Sequence, residues 1–334
     1  MRRLERRHGS LFVTWFEYVG RSATLAKELG AEAVFVSAGR SGNVTTALVR
    51  YILQSVQTLR ILSRKRPKTI IVMAPPLPLV ALAWVVSKPL RSHLIIDAHT
   101  GVFNDPKWAW TLGVFMWFAR RSTATIVTNR QLVDRLERAD VKAISLHDPP
   151  IPSASKSSKD VAFDRSSKES VIVPSSFSSD EPIDAIVDAA KELPSVTFYI
   201  TGPLPRRFSP SLIKAPTNVV FTGFLPHTEY QDLLRSAGIV LALTTRELTM
   251  QRAGYEALSS HKPLLTSDTQ VLREYFTEGA VFTLPYADDI RAGVLRCLEN
   301  LDSLAKGMAS LHRQKLAEWD SELSHAKRYL EHLP

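Results

Sequence analysis

The chain has 334 residues, of which 45% are hydrophobic and 22% charged, with a formal net charge of +9. That apolar share excludes wholesale disorder, and 20 prolines with 14 glycines in no fixed period exclude a collagen-like or low-complexity chain. A single cysteine, Cys297, excludes a disulfide framework and a Cys-ligated zinc or iron–sulfur site, so a reducing, cytoplasmic setting is expected. The charge is uneven: residues 1–150 hold 22 Lys and Arg against 10 Asp and Glu, and the remainder holds 20 against 23. Such a basic half suits an anionic partner, whether a membrane surface, a nucleic acid or a phosphorylated substrate.

Short β-branched runs alternate with helix-period segments along the whole chain, the pattern of βαβ units and parallel sheets. In the first half, strands are expected at Leu11 to Thr14, Val34 to Val36, Thr69 to Met73, His93 to Ile96, Ala124 to Val127 and Ala143 to Leu146. Helices are expected at Gly20 to Leu29, Val44 to Arg64, about Leu79 to Ser87, Trp108 to Ala119 and Arg130 to Arg138. The apolar run Ile70 to Val86 carries Pro75, Pro76 and Pro78, so it reads as strand, turn and helix rather than a membrane span. The basic start MRRLERRH is followed by too few apolar residues for a secretory leader.

Residues 149–169, rich in Pro, Ser and Lys, read as a linker. Beyond it, strands are expected at Val171 to Val173, Thr197 to Thr201, Val219 to Phe221, Ile239 to Leu243, Pro263 to Thr266 and Ala280 to Phe282. Helices are expected at Ile183 to Lys191, Thr228 to Ser236, Met250 to Ser259, Val271 to Phe276, Ile290 to Leu301 and Ala309 to Glu331. The expected fold is therefore α/β, with two Rossmann-like doubly wound domains, 1–148 and 170–308, facing a central cleft. The helix of 309–334 is a candidate to pack back on the first domain. In open α/β sheets ligands bind beyond the carboxyl ends of the strands.

The segment Leu241 to Phe276 holds the densest chemistry: a strand, a polar loop with Thr244, Thr245, Arg246, Glu247 and Thr249, then a helix with Arg252 and Glu256. A helix N-terminus flanked by hydroxyls and arginines suits a phosphate, and an acid two turns inside suits a ribose. The same pattern also fits an ordinary surface loop and amphipathic helix. The segment resembles the nucleotide-binding helix of retaining, GT-B-fold nucleotide-sugar glycosyltransferases of the group 4 (glycosyl transferases group 1) type. Tyr255-Glu256-Ala257-Leu258 and His261-Lys262-Pro263 carry the likeness, with Thr201-Gly202-Pro203 and Phe221-Thr222-Gly223-Phe224-Leu225-Pro226 as its turns.

The resemblance implies that Glu256 binds the ribose. Leu248 stands where the family has its first Glu, which contacts the transferred sugar, and Glu247 is the nearest carboxylate. The family's Gly-Arg…Lys pair is absent, since 171–190 contain no Arg or Lys, so Arg246 or Arg252 would supply the countercharge for a diphosphate. In the first half, Ala74-Pro75-Pro76-Leu77-Pro78 and Ile96-Asp97-Ala98-His99 resemble the acceptor domain of lipid-linked oligosaccharide mannosyltransferases. That likeness puts His99 near the leaving phosphate or the acceptor; the alternatives are a satisfied loop histidine and, for Asp97, a turn cap. Gly20 and Arg21 open a helix after the first strand, a further place for phosphate.

The expected donor-binding set is thus Gly20, Arg21, Thr201, Gly202, Thr245, Arg246, Thr249, Arg252 and Glu256, with His99 and Glu247 as catalytic candidates. No Asp-x-Asp follows a strand and no metal-ligand spacing is seen, so no metal cofactor is expected. The expected activity is transfer of a sugar from a nucleotide-sugar to a hydroxyl acceptor, lipid-linked or a polysaccharide precursor. A non-catalytic GT-B-like partner protein and a nucleotide-sugar epimerase are the alternatives. No nucleic-acid module is recognised.

On the helix 43–68, Val49, Ile52, Leu53, Val56 and Leu59 form one stripe, with Arg50, Gln54, Gln57, Arg60 and Arg64 largely opposite. Such a helix either packs its stripe on a sheet or docks on an anionic membrane face. The aromatic helix with Trp108, Trp110, Phe115, Trp117 and Phe118 reads as core, with an interfacial role as the alternative.

Overall fold

The computed structural model describes residues 9–39, 44–148, 169–204 and 209–332. The expected linker, 149–169, lies outside them but for its last residue. The chain forms two compact units, residues 1–149 with 319–334, and residues 150–318.

Unit 1 runs β1 (Ser10–Thr14), α1 (Gly20–Glu28), β2 (Ala31–Phe35), α2 (Val44–Lys65), β3 (Thr69–Ala74), α3 (Leu77–Leu90) and β4 (His93–Ala98). It continues through α4 (Gly101–Asn104), α5 (Pro106–Ala109), α6 (Leu112–Ala119), β5 (Ala124–Val127), α7 (Arg130–Glu137) and β6 (Ala143–Ser145). The strands form one parallel sheet in the order β2-β1-β3-β4-β5-β6. The order reverses between β1 and β3, which marks the switch point where such sheets open a crevice. Both faces are covered, so the strands read as unbroken apolar runs: Thr69 to Ala74 is buried throughout.

Unit 2 runs β7 (Ser170–Pro174), α8 (Ile183–Lys191), β8 (Thr197–Thr201), α9 (Pro210–Ile213), β9 (Val219–Gly223), α10 (His227–Ser236) and β10 (Ile239–Ala242). Then come α11 (Arg252–Ser259), β11 (Leu264–Ser267), α12 (Gln270–Tyr275), β12 (Ala280–Thr283), α13 (Ala287–Glu299) and α14 (Leu301–Glu331). Its parallel sheet has the order β12-β11-β10-β7-β8-β9, with the switch point between β10 and β7. Two apolar layers cover the sheet, one with Ile186, Phe198 and Val294, the other with Leu233, Tyr255 and Phe276. Met308 and Leu311 of α14 lie in the second layer, while Trp319, Leu323 and Ala326 of the same helix pack in unit 1 against Phe12, Ile71 and Ile126.

Three elements bear on the expectations. The aromatic helix is divided: Asp105 caps α5 through Lys107 N, and Thr111 interrupts the run before α6. Within it Phe115 is core, whereas Trp110 and Trp117 point outward. The last helix starts at Leu301, immediately after Asn300, rather than at Ala309.

The third is α2, whose stripe was expected either against a sheet or outward, and it faces outward. Gln54 and Thr58 are buried, while Leu48, Val49, Ile52, Leu53, Val56 and Leu59 are all exposed. The physical reason lies at the strand ends that α2 covers. Gln54 Nε2 donates to the carbonyls of Val36 (2.9 Å) and Trp15 (3.3 Å), and Trp15 Nε1 donates to Thr58 Oγ1 (2.8 Å). Polar side chains on the inner face satisfy backbone groups that apolar ones would leave unpaired. Among the described residues, no helix is long and apolar enough to cross a membrane.

Candidate functional site

In unit 2 the site grows from the carboxyl ends of β7 and β8. Pro174 and Ser175 leave β7 as Thr201 and Gly202 leave β8, and a cavity of about 390 Å³ opens against them. Gly202 is obligatory here. It sits at φ +115°, and a Cβ on it would come within 1.8 Å of the Ser175 carbonyl oxygen. The close approach also lets Gly202 N donate to Gly223 O (3.0 Å), which draws the turn after β9 to the same rim. That turn brings Phe224, 82% exposed, and Leu225 to the cavity wall.

The opposite wall is Tyr230 of α10 and Arg252 at the start of α11, and both hold one carboxylate. Glu256 is buried; its Oε1 accepts from Arg252 Nε (3.0 Å) and its Oε2 from the Tyr230 hydroxyl. Burial, with the adjacent Glu256 carboxylate, pushes the Tyr230 phenol far above its usual range, so it stays a donor. Helix α11 starts at Arg252 rather than Met250, because Gln251 is extended and serves as its N-cap residue. Thr249 therefore lies in the preceding loop, its hydroxyl on Glu247 O (3.3 Å). Gln251 donates to Leu243 O (2.9 Å), which leaves its buried Oε1 without a partner.

The loop beyond β10 is tied down by Asp180. Thr244 Oγ1 donates to Asp180 Oδ2 (2.8 Å), Thr245 N to Asp180 O (2.8 Å), and Arg246 lies 3.3 Å from Asp180 Oδ1. Burial would raise the Asp180 carboxyl, but its bonds from Ser178 and Thr244 and the charge of Arg246 hold it below its usual value. Arg246 is thus paired within the loop, and Arg252, with its side chain half exposed, is the arginine on the cavity. The serines after β7 surround another carboxylate. Glu181 accepts from Ser175 Oγ (2.7 Å), Ser176 N (3.0 Å) and Ser176 Oγ (3.0 Å). Glu247 is exposed, next to Leu248 at φ +62°.

The unit 1 candidates form a separate group. Arg21 is buried and inserts between two carboxylates, Asp97 (3.1 Å) and Asp148 (2.5 Å), and also donates to Leu146 O (2.9 Å). Expected to meet a phosphate, it is instead an internal counterion, since two carboxylates at the strand ends require one. Burial would raise the Asp97 carboxyl; Arg21 and His99 override it and bring it down to about 2. His99 Nε2 lies 3.2 Å from Asp97 Oδ2, with the ring partly exposed. Ionised Asp97 therefore fixes Nε2 as the protonated nitrogen. Gly20 opens α1 behind an extended Val19.

Of the expected donor set, the structure brings Thr201, Gly202 and Arg252 to one cavity, places Glu256 behind its wall on Tyr230 and Arg252, and places Thr245 and Arg246 in the Asp180 loop. Sequence reasoning missed Tyr230, Phe224, Gln251 and Asp180. The turn Gly223-Phe224-Leu225-Pro226 held a signal for Phe224. Tyr230 carried none, because its partner is 26 positions away.

Residues 183–328 match a family model described as glycosyl transferase-like. No curated protein matches the chain by sequence. Among solved structures, the chain is similar to HepE of Anabaena in complex with UDP and glucose, at 14% identity and a TM-score of 0.73, covering 98% of this chain and 100% of that one. It is also similar to sucrose-phosphate synthase of Thermosynechococcus elongatus, at 12% identity and a TM-score of 0.71, covering 96% and 98%. A glycosyltransferase from Rickettsia africae has 12% identity and a TM-score of 0.68, with 97% and 98% covered. The two parallel sheets give this chain the GT-B fold of these solved structures, and its residues 183–328, under half of its length, match the glycosyl transferase-like family model.

Proposed function

We propose that unit 2 binds a uridine-diphosphate sugar and that the enzyme transfers the sugar, with retention and without a metal ion, to a hydroxyl acceptor taken by unit 1. The observation that carries the donor site is the cavity beyond β7 and β8, walled by Tyr230 and Arg252 around one buried carboxylate. In this reading Phe224 stacks on the base and Glu256 takes the ribose hydroxyls. Arg252 and the N-terminus of α11 stabilise the departing diphosphate. Glu247 contacts the transferred sugar, and His99, oriented by Asp97, faces the acceptor.

HepE, solved with UDP and glucose and again with UDP-glucose, supports the choice of nucleotide. The outward apolar stripe and the arginines of α2 support work at an anionic, cytoplasmic membrane face by peripheral contact. Titration calorimetry with UDP and GDP, followed by turnover of UDP-glucose in excess EDTA, tests the reading. UDP is expected to bind and turnover to persist in EDTA. No heat with either nucleotide refutes the donor site, and turnover that needs added magnesium refutes the metal-free step.

A further inference from the structure

Unit 1 has its own cavity, of about 250 Å³, at the switch point of its sheet. It lies beyond the ends of β1 and β3, with Pro75 and Pro76 as one wall. His99 is next to that wall, since its N–H donates to Ala74 O (2.9 Å). Three kinds of surface converge there. Trp15 and Tyr51, stacked at 5.8 Å, and Trp108 give broad apolar faces. Arg50 and Lys107, each lying over a ring at 5.4 Å, outweigh the one carboxylate of the lining, Glu17. Gln54 is only 1% exposed, and its Oε1 has no hydrogen-bond partner. The amide cannot be turned round to cure this, because both partners of Nε2 are carbonyl oxygens. An orphaned acceptor in a cavity wall fits a ligand that brings a hydroxyl or N–H donor.

The helix that supplies Arg50, Tyr51 and Gln54 is also the one with its apolar side facing outward. Val49, Ile52 and Leu53 alternate along the chain with the cavity residues and are 56%, 55% and 49% exposed. Arg60 and Arg64 extend the same helix, Lys65 being paired with Glu32, within a half of the chain where basic residues outnumber acidic ones 22 to 10. A cationic helix with an apolar outer stripe is complementary to anionic lipid.

We infer that the acceptor is an amphiphile: its anionic, hydroxyl-bearing head sits in this cavity with a hydroxyl on Gln54 Oε1, and its hydrocarbon part stays in a membrane against the outer face of α2. The inference rests on the reading above that unit 1 takes the acceptor. The aromatic walls accept the head's apolar ring faces or methylenes, and Arg50 and Lys107 meet its phosphate or carboxylate.

Sedimentation of the full chain with phosphatidylcholine vesicles tests it, the vesicles doped with either phosphatidylglycerol or phosphatidylethanol. The two lipids carry equal charge, and only the first has free hydroxyls. The wild type is expected to prefer phosphatidylglycerol by about tenfold, the worth of one hydrogen bond to a buried acceptor. Gln54→Met abolishes the preference. Arg50→Ala with Lys107→Ala, both on the rim, lowers binding to either lipid. Ile52→Ser with Leu53→Ser, on the exposed stripe, lowers it by about tenfold or more. Soluble glycerophosphoglycerol binds far more weakly than the vesicles. Equal binding of the two anionic lipids, or rim and stripe variants that sediment like the wild type, overturns the inference. UDP titration of the same samples separates the two readings: vesicle results that fail while UDP still binds refute this inference alone, and absence of UDP binding refutes the donor site.

Discussion

Removing the Glu256 carboxylate tests the donor site most directly, because the structure separates its cost to folding from its cost to binding. In Glu256→Ala two partners lose their acceptor. Arg252 has a side chain 53% exposed and simply rehydrates. The Tyr230 hydroxyl, part-buried in the cavity wall, loses its acceptor, at about 1 kcal/mol. Urea unfolding should therefore show a modest loss of stability with the same slope. Binding should suffer more. Two ribose hydroxyls on a carboxylate contribute at least about 1.5 kcal/mol each, so their loss weakens UDP by about 100-fold. Glu256→Gln keeps a neutral acceptor and should fall about tenfold. The assay is titration calorimetry with UDP, run beside the urea curves so that only folded protein is counted. A dissociation constant for Glu256→Ala within about threefold of the wild type refutes the ribose role and leaves Glu256 as a structural partner of Tyr230.

Gly202→Ala should cost about 3 kcal/mol in urea unfolding, since its Cβ would strike the Ser175 carbonyl and its φ is +115°. Gly30→Ala, at φ +64° with open space around it, should cost about 1 kcal/mol, and equal losses would deny the close approach of β7 and β8. In unit 1, Asp97 is held at about 2 against an ordinary 3.8, so it adds stability at higher pH that is lost as pH falls through that interval, roughly 2 kcal/mol in all. Arg21→Met should leave the buried Asp97 carboxylate with His99 as its remaining partner, cost about 3–5 kcal/mol near neutrality, and reverse the slope so that acid restores stability. Acid unfolding curves for the two proteins with the same slope would contradict this.

Which parts of this molecule could be read from its sequence follows from the range of the forces involved. Strands such as Thr69 to Ala74 are local apolar runs covered on both sides, so periodicity locates them, and the alternation of strand and helix implies two parallel sheets. The glycine of Thr201-Gly202-Pro203 was visible because the turn there makes a local backbone demand, and Glu256 stood out by its place in the helix and by the resemblance of Tyr255-Glu256-Ala257-Leu258 to a family motif. What failed was partnership across sequence distance. Arg21 looked available for a ligand because Asp97 and Asp148 are 76 and 127 positions away. Arg246 looked available because Asp180 belongs to a different strand end. For α2 the sequence left both placements of the stripe open. Its stripe pattern has the period of a buried helix, and periodicity cannot tell which side is inward. The side is decided by three backbone and side-chain groups at the ends of β1 and β2 that need Gln54 and Thr58 as partners. Once those polar groups claim the inner face, the apolar stripe has no partner within the described part of unit 1. Leu62 of the same helix is buried, so α2 packs its apolar surface where no strand-end polar group competes and turns outward only the part beside Gln54 and Thr58.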